Sequence, residues 1–491
     1  MMKRTKALMV LATLAMIVSS CGTMGRKAPI RKSDRQITIL AVNDMHAAID
    51  NFPRLGYITD SLRVIYPHLL LLSGGDNQTG NPVNDQYPEK GLPMIELMNA
   101  MKFDISAVGN HEFDSKLEGF ASLSNKANFP FLCANLTQPE GSDFKIKPYH
   151  ILTTGDGVRV AVASVLHINS TGIPDSHPDN VKGFVFLDPF KVGQELMHLK
   201  DSAEVLIYLN HFGIENDVEL AKLLDPKATP LIIGGHSHTK VDKELIENGI
   251  MITQAASKLK FATLIQLTLK SDGSIKRKMK LIPVGKQGNV RRDLKELVDR
   301  YNNSPELKQV IATAEEDFSS HDQLGYLMVD ALRAGTKTDL SLINPGGVRI
   351  DRLPKGDISI MNVYSLDPFG NEAIVLHLTG QELLNFHYAA FELDNRMPLY
   401  PSGFKSEYTI NKDGSLKEVK LFNADGTPLD LNKTYSISMN SYITSVYKYE
   451  HKDQGRSLFV TTAENMIEYL KKLKVVPSYQ KENRVKVNKE K

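Results

Sequence analysis

The stretch Ile105-Ser106-Ala107-Val108-Gly109-Asn110-His111-Glu112-Phe113-Asp114 decides how this chain folds. Its first four residues form a largely apolar run, the mark of a strand buried in a sheet. The polar hexapeptide after it therefore sits at that strand's exposed end. There Asn110 offers a neutral oxygen ligand, His111 an imidazole that can meet developing charge, and Asp114 a carboxylate able to orient that imidazole.

The same pattern recurs along the chain. Ile37-Thr38-Ile39-Leu40-Ala41-Val42 runs into Asn43-Asp44-Met45-His46, and residues 69–72 run into Ser73-Gly74-Gly75-Asp76-Asn77. Residues 158–164 lead into a longer loop, and Val205-Leu206-Ile207-Tyr208-Leu209 into Asn210-His211. Leu231-Ile232-Ile233 ends in Gly234-Gly235-His236-Ser237-His238. Near-continuous apolar strands suit a sheet covered on both faces. In such layered α/β sheets ligands gather where strand ends meet loops. Residues 252–269 and 275–284 read as strands closing this domain. Residues 291–301 carry Leu294, Leu297, Val298 and Tyr301 at helical spacing and read as an interdomain connector.

A second, smaller α/β domain follows. Leu324, Leu327, Met328, Ala331 and Leu332 share one helix face that ends at Gly335. A strand over 339–343 leads to Asn344-Pro345-Gly346-Gly347-Val348-Arg349, and a strand over 373–378 leads to Thr379-Gly380-Gln381-Glu382, a capping box. Residues 435–439 alternate as a strand, residues 442–456 read as a Tyr- and Lys-rich loop, and residues 463–473 as a last helix.

With 491 residues the chain is too long for one core. Hydrophobic content of 42% and charged content of 24% suit a soluble globular protein. A net charge of +2 gives no electrostatic argument for a nucleic acid polymer or an anionic membrane face. The N-terminus departs from that composition. Lys3, Arg4 and Lys6 precede an apolar run over 7–18, which ends at Ser19-Ser20-Cys21, the layout of a secretory signal. Val18-Ser19-Ser20-Cys21 resembles the bacterial lipobox, in which the Cys is lipidated, and residues 22–35 read as a flexible tether. Acylation of Cys21 leaves Cys133 without a disulfide partner.

Asp44 and His46, two apart in an extended backbone, point the same way. With Asp76, Asn110, His211, His236 and His238 they make seven donors at strand ends, enough for two divalent ions that share Asp76. Asp44-x-His46, Gly75-Asp76, Gly109-Asn110-His111-Glu112-x-Asp114, His211 and Gly235-His236-x-His238 resemble the calcineurin-like metallophosphoesterases. The hexapeptide and the Gly-His-Ser-His phrase are similar, more narrowly, to the 5′-nucleotidases. Asn344-x-Gly-Gly-x-Arg349 and Pro368-Phe369-Gly370-Asn371 are similar to the substrate-binding half of that family. The resemblance covers nearly all of the chain after residue 36.

It implies a two-sheet sandwich flanked by helices over residues 36–288, a linker helix over 289–320 and a C-terminal domain over 321–488. It implies one ion on Asp44, His46, Asp76 and His238, a second on Asp76, Asn110, His211 and His236, and a His111–Asp114 dyad at the leaving group. Phosphate monoesters demand accelerations of up to about 10²¹, whereas one side-chain base supplies only about 10²–10⁴. A pair of ions roughly 3.5–4 Å apart supplies a bridging hydroxide for in-line attack and neutralises phosphoryl oxygens. Imidazole, carboxylate and amide ligands without thiolate suit Zn, Mn, Co or Fe.

Arg349 offers a fork of donors for phosphate. The resemblance places the base between Phe369 and Tyr442, with Asn344 and Asn371 beside it. Two departures stand out. The family's Gly-Gly-Asp-Gly loop after the second aromatic is replaced here by residues 444–455, where Tyr447, Tyr449 and Asp453 are the available substitutes, and Ala47 stands where the family prefers Gly. The implied function is an exported, lipid-anchored hydrolase of nucleoside 5′-monophosphates in the cell envelope. The alternatives are 2′,3′-cyclic nucleotides, nucleotide sugars or other phosphoesters as substrates, and a non-catalytic nucleotide- or metal-binding lipoprotein.

Overall fold

The computed structural model describes residues 33–285, 287–393 and 396–489. The signal segment, Cys21 and the tether up to residue 32 lie outside the described residues.

The strand Arg35–Val42 is the axis of the first half. It pairs in parallel with Leu70–Ser73 and antiparallel with Phe261–Leu269. The sheet built on it runs, in spatial order, Ile275–Pro283, Phe261–Leu269, Arg35–Val42, Leu70–Ser73, Ile105–Ala107, Phe131–Leu132 and Ile146–Lys147. A second sheet runs Leu245–Glu247, Ile250–Thr253, Leu231–Ile233, Val205–Leu209, Arg159–Ala163 and Tyr149–Thr153. Side-chain alternation explains why the strands are apolar throughout. Ile37, Ile39 and Ala41 meet Val160, Val162, Ile207 and Ile233 between the two sheets. Leu40 and Val42 face the other way, onto the helices Phe52–Ile65 and Leu92–Met101. The outer face of the second sheet is covered by Val192, Leu220 and Ala221 of two further helices. Each such buried Ile, Leu or Val side chain contributes about 1.5–3 kcal/mol, so the strand ends that carry polar clusters are held by a core on both sides.

The second half is built on a sheet in the order Tyr400–Ser402, Leu340–Ile343, Thr434–Asn440, Glu372–Thr379 and Arg456–Thr461. The helix His321–Thr336 packs on it together with Thr462–Leu473. The Thr379 box forms as read: the Glu382 carboxylate accepts from Thr379 N at 2.8 Å and Glu382 N donates to Thr379 Oγ1 at 3.1 Å.

Two local expectations differ. Residues 252–269 are two strands, parted by a turn in which Ala256, Lys258 and Leu259 have φ of 59°, 55° and 48°. Residues 441–446 form a short helix whose N-terminus is capped by Asn440, because the Asn440 side chain accepts from Ile443 N at 2.9 Å. The connector helix Arg292–Tyr301 is seated on the first half, with Leu294 and Val298 buried in its core.

Candidate metal centre and substrate face

The loops after Arg35–Val42 and Leu70–Ser73 continue the pairing of their strands: Asp44 N donates to Gly75 O and His46 N to Asp76 O, both at 3.0 Å. Their backbone is not extended. Asp44, His46, Asp76, His236 and His238 have φ of 48°, 45°, 51°, 79° and 54°, so five of the seven donors lie in the left-handed region. Asp44 and His46 therefore converge by a left-handed turn and not by strand alternation, a correction to the sequence reading. Backbone conformations of this kind cost about 1–3 kcal/mol each and cluster at functional sites. Ala47 shares the geometry at φ 50°, which accounts for a preference for Gly there. Gly109 is required for a different reason: a Cβ on it would lie 2.2 Å from Asp76 Oδ1.

Glu112, unassigned in the sequence reading, ties these loops together. Its buried carboxylate accepts from Asp76 N at 3.0 Å, Asn77 N at 2.8 Å and Gly109 N at 2.6 Å. The hexapeptide itself is wound into a 3₁₀ turn over Asn110–Ser115.

The seven donors come together. Asp76 Oδ2 lies 3.2 Å from His211 Nε2 and 4.0 Å from His46 Nε2. Asp44 Oδ1 lies 3.6 Å from His238 Nε2 and 4.0 Å from His211 Nε2. Asn110 Oδ1 is 3.2 Å from both His211 Nε2 and His236 Nδ1, and His46 Nε2 is 2.8 Å from His238 Nε2. Ligands held at about 2.0–2.2 Å on one ion stand within roughly 4.4 Å of each other, so these spacings fit. The imidazoles are aimed by their far nitrogens: His211 Nδ1 meets Gly74 O at 2.8 Å and His46 Nδ1 meets Thr79 O at 3.0 Å. Asp44, His46 and His238 form one group able to hold a divalent ion, and Asp44, Asp76 and His211 another. His111 turns its Nε2 to within 3.9 Å of Asp76 Oδ2, while its Nδ1 lies 2.7 Å from Asp114 Oδ2. Thr79 Oγ1 donates to the same Asp114 oxygen at 2.8 Å.

The electrostatics call for cations. Burial pushes the Asp44 carboxyl up to about 7, against the pull of His211 and with the help of neighbouring Asp76. Burial disfavours a charged His211, but Asp76 and Asp44 outweigh it and raise it to about 10. Asp76 is likewise opposed by burial yet held well below the carboxylate range by His211 and His111. Two fully buried carboxylates thus draw positive charge onto His211 and His111, a demand that divalent ions meet, while burial lowers His46, His236 and His238 and leaves them neutral donors.

The second half reaches this centre. Arg349 is set among Asp76, Asp114 and Asp44, and its guanidinium lies 5.4 Å from the Phe369 ring centroid. Phe369 stacks on His111. Lys258, on the turn between Ile250–Thr253 and Phe261–Leu269, donates its backbone N to Asp44 O at 2.7 Å and its Nζ to Arg349 O at 3.1 Å. Asn344 Oδ1 accepts from Asn440 Nδ2 at 3.3 Å, and Asn371 Oδ1 from Ser441 Oγ at 3.4 Å. Tyr442 is half-buried and meets Tyr447 edge to face at 6.4 Å. Of the substitutes for the absent glycine loop, Tyr447 is buried against Phe386, Tyr449 stacks on His451 at 4.2 Å, and Asp453 accepts from His377 N at 2.8 Å. All three are engaged within the second half.

The sequence reading also passed over Asp175 and His167. Asp175 Oδ2 is 3.5 Å from His236 Nε2, and the His167 ring stacks on His236 at 4.8 Å.

Residues 37–240 match the family model of the calcineurin-like phosphoesterases, a class that binds divalent metals, and residues 306–447 match that of the 5′-nucleotidase C-terminal domain. The trifunctional nucleotide phosphoesterase protein YfkN of Bacillus subtilis is 27% identical over 92% of this chain, although the chain spans only 35% of YfkN. A 5′-nucleotidase of Vibrio cholerae is 26% identical, with 90% of this chain and 91% of that one aligned. The structure of a 5′-nucleotidase precursor from Thermus thermophilus superposes with a TM-score of 0.80 at 25% identity, covering 93% of this chain and 100% of that one. The chain therefore carries a calcineurin-like phosphoesterase domain followed by a 5′-nucleotidase C-terminal domain.

Proposed function

We propose that this chain is an exported phosphohydrolase that releases phosphate from nucleoside 5′-monophosphates at a dinuclear metal centre. The observation that carries this reading is the convergence of Asp44, Asp76, Asn110 and His211 on one buried point, with Arg349 of the second half beside it. One ion would rest on Asp44, His46, Asp76 and His238, the other on Asp76, Asn110, His211 and His236. Bound there, the ions supply Lewis-acid chemistry, lowering the pKa of water and neutralising phosphoryl oxygens.

The chain's own residues do the rest. Arg349 presents a planar fork to the phosphate and so fixes its orientation. Asp114 accepts a hydrogen bond from His111 Nδ1–H, which leaves Nε2 facing the reaction to stabilise charge on the transferring group or the departing oxygen. Phe369 and Tyr442 flank the base, and Asn344 and Asn371 shape the floor of the site. The division of the chain at 36–288, 289–320 and 321–488 belongs to this reading, as does attachment to a membrane through Cys21. Among the described residues no helix is long and apolar enough to cross a membrane.

A second reading keeps the centre and changes the substrate. Tyr447, Tyr449 and Asp453 are all engaged within the second half, which leaves selection of a 5′-monophosphate by a base contact there without a residue, and the substrate is then a 2′,3′-cyclic nucleotide, a nucleotide sugar or another phosphoester. Assaying the full chain on a panel of phosphoesters, with and without chelator, separates the readings. Chelator-sensitive phosphate release from AMP supports the first, and turnover of cyclic or diphosphate compounds alone supports the second. Nucleotide binding without turnover would leave a non-catalytic lipoprotein.

A further inference from the structure

Each imidazole proposed to face an ion from deep in the site has its far nitrogen aimed by an acceptor. For His211 this is Gly74 O and for His46 it is Thr79 O. For His236 it is a carboxylate: Asp175 Oδ2, 3.5 Å from Nε2. A proton held on Nε2 leaves the Nδ1 lone pair toward Asn110 Oδ1, 3.2 Å away.

The same residue acts on Asn110 through a second group. Asn110 Nδ2 donates to the backbone carbonyl of Asp175 at 3.0 Å. Only the carbonyl end of an amide side chain can bind a cation. Pinning the NH₂ end on Asp175 therefore turns Oδ1 inward, where it lies 3.2 Å from His211 Nε2. Asp175 is itself held, because its Oδ1 accepts from Asn169 Nδ2 at 3.0 Å. Asn169 in turn closes the loop, accepting from Thr171 N at 2.9 Å and donating its own N to Ile173 O at 2.8 Å. The His236 ring is also backed by His167, stacked at 4.8 Å and 29°.

We infer that Asp175 is a positioning residue for the ion of Asp76, Asn110, His211 and His236, setting two of its ligands at once, one by its carboxylate and one by its backbone. The inference rests on the ligand reading proposed above. The ion of Asp44, His46, Asp76 and His238 has no contact of this kind from Asp175, so the two ions should respond differently to its loss. His167, Asp175 and His236 also stand close enough to hold a cation among themselves. That arrangement would take His236 Nε2 away from the proton that keeps Nδ1 pointed inward, so positioning is the use the geometry favours.

The test is a calorimetric titration of the metal-free full chain with Mn²⁺. Wild type takes up two equivalents. In Asp175→Ala one equivalent weakens by about 10–100-fold while the other keeps its affinity. Excess Mn²⁺ then restores phosphate release, which a folding defect would not allow. Both variants keep the backbone carbonyl, and Asp175→Asn, which also keeps a side-chain oxygen acceptor, falls between wild type and Asp175→Ala. It also decides the matter if the Ala variant unfolds, as thermal melts in chelator would reveal. Two equivalents of wild-type affinity in both variants overturn the inference and leave the dinuclear reading standing. A third wild-type equivalent, alone lost in Asp175→Ala, overturns it in favour of a cation on His167, Asp175 and His236. A wild type that takes up no pair of ions removes the dinuclear reading and this inference with it.

Discussion

The ring of Phe369 lies stacked on that of His111, with centroids 5.9 Å apart and planes 22° from parallel. One ring comes from the half that would hold the nucleoside and the other from the half that would hold the ions. His111 has a second anchor in Asp114, so losing Phe369 does not free the imidazole. Phe369→Ala is expected to raise KM for AMP about 5–150-fold, the equivalent of 1–3 kcal/mol of base stacking, with kcat largely kept. Steady-state kinetics on AMP decide it, and an unchanged KM takes Phe369 out of the base site.

His111→Ala leaves every proposed metal ligand in place. Its kcat should fall by about 10²–10⁴ while metal content per chain stays at the wild-type value. Asp114→Asn, which alters the partner of His111 Nδ1 and of Thr79 Oγ1 but keeps an oxygen there, should fall less. Elemental analysis beside the rate measurement separates the two effects, and metal loss in His111→Ala would make it a ligand.

Asp76→Asn and His211→Ala behave in the opposite way. Asp76 is the carboxylate common to both proposed ions, so its loss should remove turnover and both equivalents of metal together. His211→Ala should remove the equivalent shared with Asn110 first. Elemental analysis after gel filtration measures both, and either variant retaining two ions at full activity contradicts the ligand sets.

Away from the site, His387 sets an acid limit on the second half. It is fully buried, its Nδ1 lies 2.6 Å from Tyr408 OH, and its Nε2 has no hydrogen-bond partner among the described residues. Burial lowers its pKa to about 3. Above its ordinary value near pH 6.5 the ring is neutral folded or unfolded and contributes no pH dependence. As pH falls below that value the unfolded chain takes up a proton that the folded core refuses, so stability drops by up to about 1.4 kcal/mol per pH unit until the folded pKa is reached. Denaturant unfolding at pH 7 and pH 5 should therefore show a steeper loss for wild type than for His387→Gln. Equal losses would place the acid sensitivity elsewhere.

The sandwich and its donors were legible because a strand buried on both faces carries few polar and no charged residues along its apolar run, so Asp44, Asp76, Asn110, His211 and His236 stood out at the ends of those runs. The left-handed backbone at Asp44 and His46 left no such trace, since composition does not report φ, and alternation suggested the right convergence for the wrong reason. The break at 254–260 was hidden by apolar residues on both sides. Asp175 was missed because its loop has no periodic frame and its partner His236 lies far along the chain. Glu112 sat in full view within the hexapeptide. Its use, accepting three backbone N–H groups from two loops, is a long-range fact that a single sequence does not disclose.

The turn that carries Lys258 grips the Asp44 loop with its backbone and Arg349 with its ammonium. The halves of this enzyme are for that reason not free cassettes. A chimera that grafts the C-terminal half of a relative onto residues 36–288 must keep an acceptor in register for Lys258, or both the centre and the arginine that serves it lose their common brace.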